Sequence, residues 1–186
     1  MEIEILHGLQ SWHNDVLDQI MLFITSLGDG GVLWITTSVL LLAVPRIGKE
    51  SSEHMNVRRI MGISMLLSLL LNFICGNLII KNIVQRPRPY TVDTSVVPLI
   101  FPSEYSFPSG HTSSSFTAAC AIFLNHKKAG IVAFAMAAMI AFTRLYLFVH
   151  YPTDVLGGIV LGVICAFVVR YVVKTFIRPR FFKETA

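Results

Sequence analysis

Charge is scarce in this chain. Across 186 residues Asp, Glu, Lys and Arg together make 14%, against 54% hydrophobic residues, and the mean hydropathy is +0.65. Soluble domains carry roughly a quarter charged residues, so the composition sets the chain apart from them and points to a bilayer. Cysteine is scarcer still. Cys75, Cys120 and Cys165 fall in three different apolar runs. No Cys pair or Cys/His cluster has zinc spacing, so neither a disulfide framework nor a Cys-ligated metal is expected. All three read as small buried residues. The N-terminus lacks the basic stretch of a secretory signal: it opens with Glu2 and Glu4, and no small-residue cleavage site follows a short apolar core. Internal repeats, low-complexity segments and linkers are missing too, so residues 1–186 are expected to form one membrane-embedded domain. No cofactor and no nucleic-acid partner is expected.

Long uncharged apolar runs are what the chain does have. Crossing hydrocarbon takes roughly 20 residues at 1.5 Å each. Residues 60–80 form such a run between Arg59 and Lys81. A second is 129–143 with 145–149, broken only by Arg144, and a third is 155–169, between Asp154 and Arg170. Residues 30–44 and 112–124 are shorter runs. In 1–27, Asp15 and Asp18 interrupt the apolar pattern, while Leu17, Ile20, Met21 and Ile24 share one helical face. This reads as an amphipathic helix, at the interface or packed as a sixth span. The fold expected is all-α: a multi-pass transmembrane helix bundle of five spans plus that N-terminal helix.

Basic residues give an orientation. Arg46, Lys49, Arg58 and Arg59 follow the second run, Lys127 and Lys128 follow the fourth, and Arg170, Lys174, Arg178, Arg180 and Lys183 follow the last. These eleven of the fifteen Lys and Arg fall on one side, which the positive-inside rule makes cytoplasmic, together with the C-terminus. Lys81, Arg86, Arg88 and Arg144 fall on the opposite side, where cations need a reason. A plasma-membrane protein with its site facing outward is the implied arrangement.

Three segments supply such a reason. Lys81 and Arg88 taken alone would be headgroup anchors at the end of a span. Arg88, however, sits between Pro87 and Pro89, which stiffen the backbone around a guanidinium able to grip phosphate oxygens in pairs. Arg86 reads as an accessory cation. Pro108-Ser109-Gly110-His111 precedes an apolar run. It can be a helix start capped by Ser109 and an anion site at once, because a helix N-terminus has unpaired N–H groups. Gly110 permits close approach, and His111 stands where it can protonate a leaving oxygen. Arg144, His150 and Asp154 flank the last turn between runs. Asp154 suits a helix start, yet a carboxylate within reach of an imidazole also fixes its tautomer, as a basic or nucleophilic histidine needs.

Together these segments spell Lys-x6-Arg-Pro, Pro-Ser-Gly-His and Arg-x5-His-x3-Asp. The pattern resembles that of the type-2 phosphatidate phosphatase superfamily, whose site is shared with vanadium haloperoxidases and glucose-6-phosphatase. Ten fixed identities match by chance on the order of 10⁻¹³ per placement at one-in-twenty usage. The resemblance covers a core of 81–154, with Thr143 standing where the pattern has Ser. It implies a metal-independent lipid phosphatase. In it His150 attacks phosphorus and forms a phosphohistidine, Asp154 orients His150, and His111 protonates the departing oxygen. Lys81, Arg88, Ser109, Gly110 and Arg144 hold the phosphoryl oxygens.

Small bacterial members of the family resemble undecaprenyl-diphosphate phosphatases, so the expected reaction takes undecaprenyl diphosphate to undecaprenyl phosphate in the outer leaflet. Phosphatidylglycerophosphate or phosphatidate is the alternative substrate. The loop from Tyr90 to Phe107 holds an apolar stretch, Val96-Val97-Pro98-Leu99-Ile100-Phe101. It either dips into the bilayer and lines the lipid's entry path or packs over the bundle. A non-enzymatic transporter or scaffold is the remaining rival. Transport predicts charges at mid-membrane depth, whereas these residues gather at helix ends. Asn72 and Asn77, polar within a run, are expected to bond between helices. The pattern leaves the oligomeric state open.

Overall fold

The computed structural model describes residues 1–44 and 52–177. Arg46, Lys49, Arg178, Arg180 and Lys183 of the basic clusters therefore lie outside the described residues. Every regular element among those described is helical: α1 (Glu2–Gln10), α2 (Asp15–Ser26), α3 (Val32–Ala43), α4 (Ser52–Asn72), α5 (Pro89–Val92), α6 (Gly110–Asn125), α7 (Lys127–Tyr146) and α8 (Pro152–Val172). α4 continues past Asn72 through a π-helical stretch, Phe73–Ile80, and a final turn, Lys81–Val84.

The helix boundaries follow from local chemistry. Asn14 starts α2 by accepting the Leu17 amide at 3.0 Å. Gln85, at φ 48°, ends the long α4 helix in a left-handed turn. The prolines that follow hold Arg86 and Arg88 out of helical conformation, and Pro152 occupies the first turn of α8, where its missing N–H costs nothing. α6 is the central helix and packs most extensively on α8 and α7, with α4 lying across α3, α6 and α8. Its inward face is alanine, serine and threonine, and an adjoining core joins Trp34, Met65, Leu69, Ala137 and Ile140. The close approach of α8 depends on Gly158 and Gly162. A Cβ at Gly158 would stand 2.9 Å from the Ser109 carbonyl oxygen, and one at Gly162 would stand 2.6 Å from that of Ser113. Small residues of this kind let helices pack by van der Waals contact where no hydrophobic drive separates lipid from protein.

Helix length and apolarity single out fewer spans than the five plus one expected from the sequence. Among the described residues, three helical stretches are long and apolar enough to cross a membrane: His54–Val92, Lys127–Tyr146 and Pro152–Ile177. They become four if α2 and α3, bent by 41° at Asp29, count as one broken span. Residues 1–27 are not one helix. α1, only 9 residues or about 14 Å long, is too short to cross. It lies instead against the turn between α7 and α8, with Leu6 buried against Phe148 and Tyr151. α6 has 16 residues, about 24 Å, and is sheathed by its neighbours rather than by lipid.

Candidate active site

Helix ends deliver the functional residues to one end of the bundle. Lys81 closes the long α4 helix just after its π-helical stretch. There the Lys81 amide donates to the Gly76 carbonyl five residues back, which shifts the register of all that follows. Arg88 precedes α5, Ser109 to His111 open α6, Arg144 ends α7, and His150 and Asp154 bracket the start of α8. A cavity of about 780 Å³ lies between them. Lys81, Arg88, Gly110, His111, Arg144 and His150 line its polar end, and Leu66, Leu69, Leu70, Phe73 and Ile35 of α4 and α3 line its apolar end.

His150 is 2% exposed and fixed on both sides. Its Nδ1 lies 3.5 Å from Asp154 Oδ2 and 3.4 Å from Ser106 Oγ. A carboxylate only accepts, so Nδ1 carries the proton and Nε2 keeps the lone pair. Nε2 is 3.1 Å from Arg88 Nη1, at the cavity wall. Asp154 is fully buried. Its Oδ2 accepts from Ser106 Oγ at 2.5 Å and from the Tyr151 amide at 2.8 Å, and its Oδ1 accepts from Arg86 Nη1 at 2.7 Å. Burial above all, with the Arg88 and Arg144 charges, pushes the His150 pKa down to about 3 against the opposing pull of Asp154. The ring is therefore neutral at ordinary pH, with its Nε2 lone pair turned toward the cavity wall and accepting from Arg88 Nη1.

Three buried cations face the cavity. Lys81 pairs with Glu104, whose carboxyl is held below its ordinary range by that bond. Arg88 donates to the Glu104 carbonyl through Nε at 2.7 Å and to the Val149 carbonyl through Nη1 at 2.8 Å. Arg144 donates from Nη1 to Thr25 Oγ1, while its buried Nε has no protein partner. Among the described residues neither Arg88 nor Arg144 forms an ion pair with a carboxylate. Buried cations without anions are costly, so this end of the bundle is built with a surplus of positive charge.

The remaining expectations separate. His111 lines the cavity with Nε2 2.8 Å from Asp29 Oδ1, and burial, then Arg144, push its pKa down to about 4. Gly110 leaves the space where its Cβ would stand 3.9 Å from Lys81 Nζ. Ser109 caps α6, its hydroxyl oxygen accepting from the Thr112 amide at 3.5 Å and from Thr112 Oγ1 at 2.9 Å. Arg86 does not line the cavity. It stands beside Asp154, bonded to that carboxylate and to Glu2, each at 2.7 Å, and stacked 3.8 Å over the Tyr151 ring. Thr143 donates its hydroxyl to the Ile140 carbonyl at 2.6 Å. Asn72 bonds Ser113 at 3.1 Å as expected, whereas Asn77 faces the cavity beside Gly110.

Sequence reasoning missed Ser106, Glu104, Asp29 and Thr25. Asp29 carried a signal, a carboxylate among three glycines between apolar runs. Ser106, Glu104 and Thr25 carried none, because their partners are distant in the chain. Among the described residues no group of three or more His, Cys, Asp or Glu side chains is arranged to hold a metal ion.

With this geometry in place, comparison with known proteins is informative. Residues 61–178 match the model of the PAP2 superfamily. The chain is 31% identical over 163 residues to the undecaprenyl-diphosphatase BcrC of Bacillus subtilis, covering 87% of this chain and 77% of that protein. It is 39% identical over 108 residues to phosphatidylglycerophosphatase B of the same organism, a match that spans 50% of this chain and 49% of that protein. The crystal structure of Aquifex aeolicus LpxE superposes with a TM-score of 0.73 at 26% identity, covering 91% of this chain and 94% of that one.

Proposed function

Because the chain belongs to the PAP2 superfamily, we propose that it removes the terminal phosphate of undecaprenyl diphosphate, through a phosphohistidine and without a metal. That it is a membrane-bound hydrolase of lipid phosphates follows from the family and its named relatives. The finer reading rests on one observation above all: two buried guanidiniums and Lys81 converge on a cavity beside a neutral histidine, with too few carboxylates to balance them. Such a site wants a dianion or more. The cavity's apolar end, on α3 and α4, suits a lipid chain entering behind the headgroup.

His150 Nε2 attacks phosphorus. An N–P bond forms, the bond from that phosphorus to the bridging oxygen of the lipid diphosphate breaks, and the electron pair leaves with that oxygen, which takes a proton from the imidazolium form of His111. Asp154 stabilises the charge that develops on the His150 ring. Water then attacks the phosphohistidine, giving a proton to His111 while the N–P electron pair returns to His150. Phosphoryl transfer needs mainly positioning and charge stabilisation, and here Lys81, Arg88, Arg144 and the Gly110 amide take the place of metal ions. The site faces the outer leaflet and the C-terminus the cytoplasm, as the basic residues imply.

The stronger coverage of the undecaprenyl-diphosphatase relative favours the diphosphate. Phosphatidylglycerophosphate is the second reading, favoured by the higher identity over half the chain. Phosphate release by the purified protein in detergent with excess chelator, run on both lipids with His150→Ala as the blank, decides between them. Preference for the diphosphate supports the proposal, preference for the glycerophospholipid moves it to the second reading, and activity that dies with the chelator overturns the metal-free mechanism.

A further inference from the structure

The break between α2 and α3 is shaped around His111. Gly28 has no Cβ, and one built there would stand 2.7 Å from His111 Cδ2, inside any real contact distance. Gly30 and Gly31 then take φ of 57° and 68°, left-handed conformations that turn the chain sharply between the two helices. The residue they enclose is Asp29. Its Oδ1 lies 2.8 Å from His111 Nε2, although 82 positions separate the two in sequence. Both line the cavity.

We propose that Asp29 is the positioning carboxylate of the leaving-group acid. It holds the His111 ring at the cavity wall and stabilises its charged form, as Asp154 does for His150 on the other side of the cavity. The inference rests on the reading of His111 as that acid. Four charged groups face His111 from the surrounding elements: Asp29 from the break, Lys81 from α4, Glu104 from the loop before α6, and Arg144 from α7. The two cations oppose protonation of the ring, and so does burial. Asp29 is the anion in hydrogen-bond contact with it. An acid surrounded by cations needs that anion to carry its proton to a departing alkoxide.

Leaving-group dependence tests this. An alkoxide leaves only with a proton, whereas a nitrophenolate leaves without one. The quantity to measure is kcat/KM of the full chain in detergent for a long-chain alkyl phosphate and for p-nitrophenyl phosphate, since it reports the steps up to leaving-group departure. Asp29→Asn is expected to lose about 10- to 100-fold on the alkyl ester, part of the 10²–10⁴ that a positioned acid supplies, and only a few-fold on the aryl ester. Asp29→Glu should recover part of the loss. The alkaline limb of the alkyl-ester profile should move to lower pH in Asp29→Asn, because the acid must be protonated to act and has lost the anion that favours protonation. In a His111→Ala background the same change should do nothing further. Equal losses on both esters, or a loss that adds fully to that of His111→Ala, overturn the assignment of Asp29 alone. If His111→Ala itself loses equally on both esters, the acid role of His111 falls, and Asp29's with it.

Discussion

At the scale of single residues, the chemistry turns on how one carboxylate is shared. Asp154 divides its two oxygens among Ser106, the Tyr151 amide, Arg86 and His150. Asp154→Asn keeps the shape and removes the charge, so kcat should fall on the order of 10²–10⁴, as in other carboxylate–histidine pairs. Ser106→Ala removes a single neutral donor and should cost about 10-fold, within the 1–3 kcal/mol range for losing a buried hydrogen bond. A loss from Ser106→Ala as large as that from Asp154→Asn would show that the hydroxyl does more than hold the carboxylate. The two histidines also make stability depend on pH. Both have folded-state pKa values, about 3 and about 4, below the ordinary 6.5. Between those values and 6.5 the unfolded chain binds more protons, so stability is fully present above 6.5 and falls as pH drops toward 4. Each imidazole contributes at most about 1.4 kcal/mol per pH unit. The thermal midpoint in detergent should fall over that window, and less so in His150→Ala.

At the scale of elements, two contacts decide whether the site assembles. α8 carries Asp154 and reaches α6, which carries Gly110 and His111, through glycines. Gly162→Ala puts a methyl against the Ser113 carbonyl and the Thr117 amide, backbone atoms of a packed helix that cannot move aside. Overpacking of this sort costs about 1–3 kcal/mol, so a lower denaturation midpoint should accompany reduced kcat. The loop before α6 is the second contact. Val96 and Ile100 pack down on the bundle, whereas Val97, Leu99 and Phe101 point outward. Replacing Leu99 and Phe101 with serine is expected to raise KM for long-chain lipids while leaving a short soluble phosphate ester unchanged. Equal effects on both substrates would remove the loop from the lipid's path.

At the scale of the whole molecule, the bundle is apolar outside and charged at one end. Large side chains such as Phe23, Val132, Val160 and Phe167 stand exposed on the helices, an arrangement tolerable only in lipid. The basic residues of the opposite end predict a topology that a C-terminal reporter can check: labelling of intact cells should miss the C-terminus, and labelling from outside should reach a cysteine placed at Val97. The reverse pattern would turn the site inward and rule out an outer-leaflet substrate.

What the sequence determined by itself was the chemistry and the medium. Apolar runs depend only on composition and length, and the spaced Lys, Arg, Ser, Gly, His and Asp identities carry the resemblance to a phosphatase site in linear order. An apolar run does not reveal whether its helix faces the outside, as much of 155–169 does, or lies sheathed in the bundle, as α6 does. The sequence also read 1–27 as one helix, since periodicity does not register the break that Asn14 caps. Tertiary structure alone decided the partners: Ser106 and Arg86 on Asp154, Glu104 on Lys81, Asp29 on His111, Thr25 on Arg144. Each joins residues 23 to 119 positions apart. A hydrogen bond over such a separation depends on helix packing, and no local pattern of side chains encodes it.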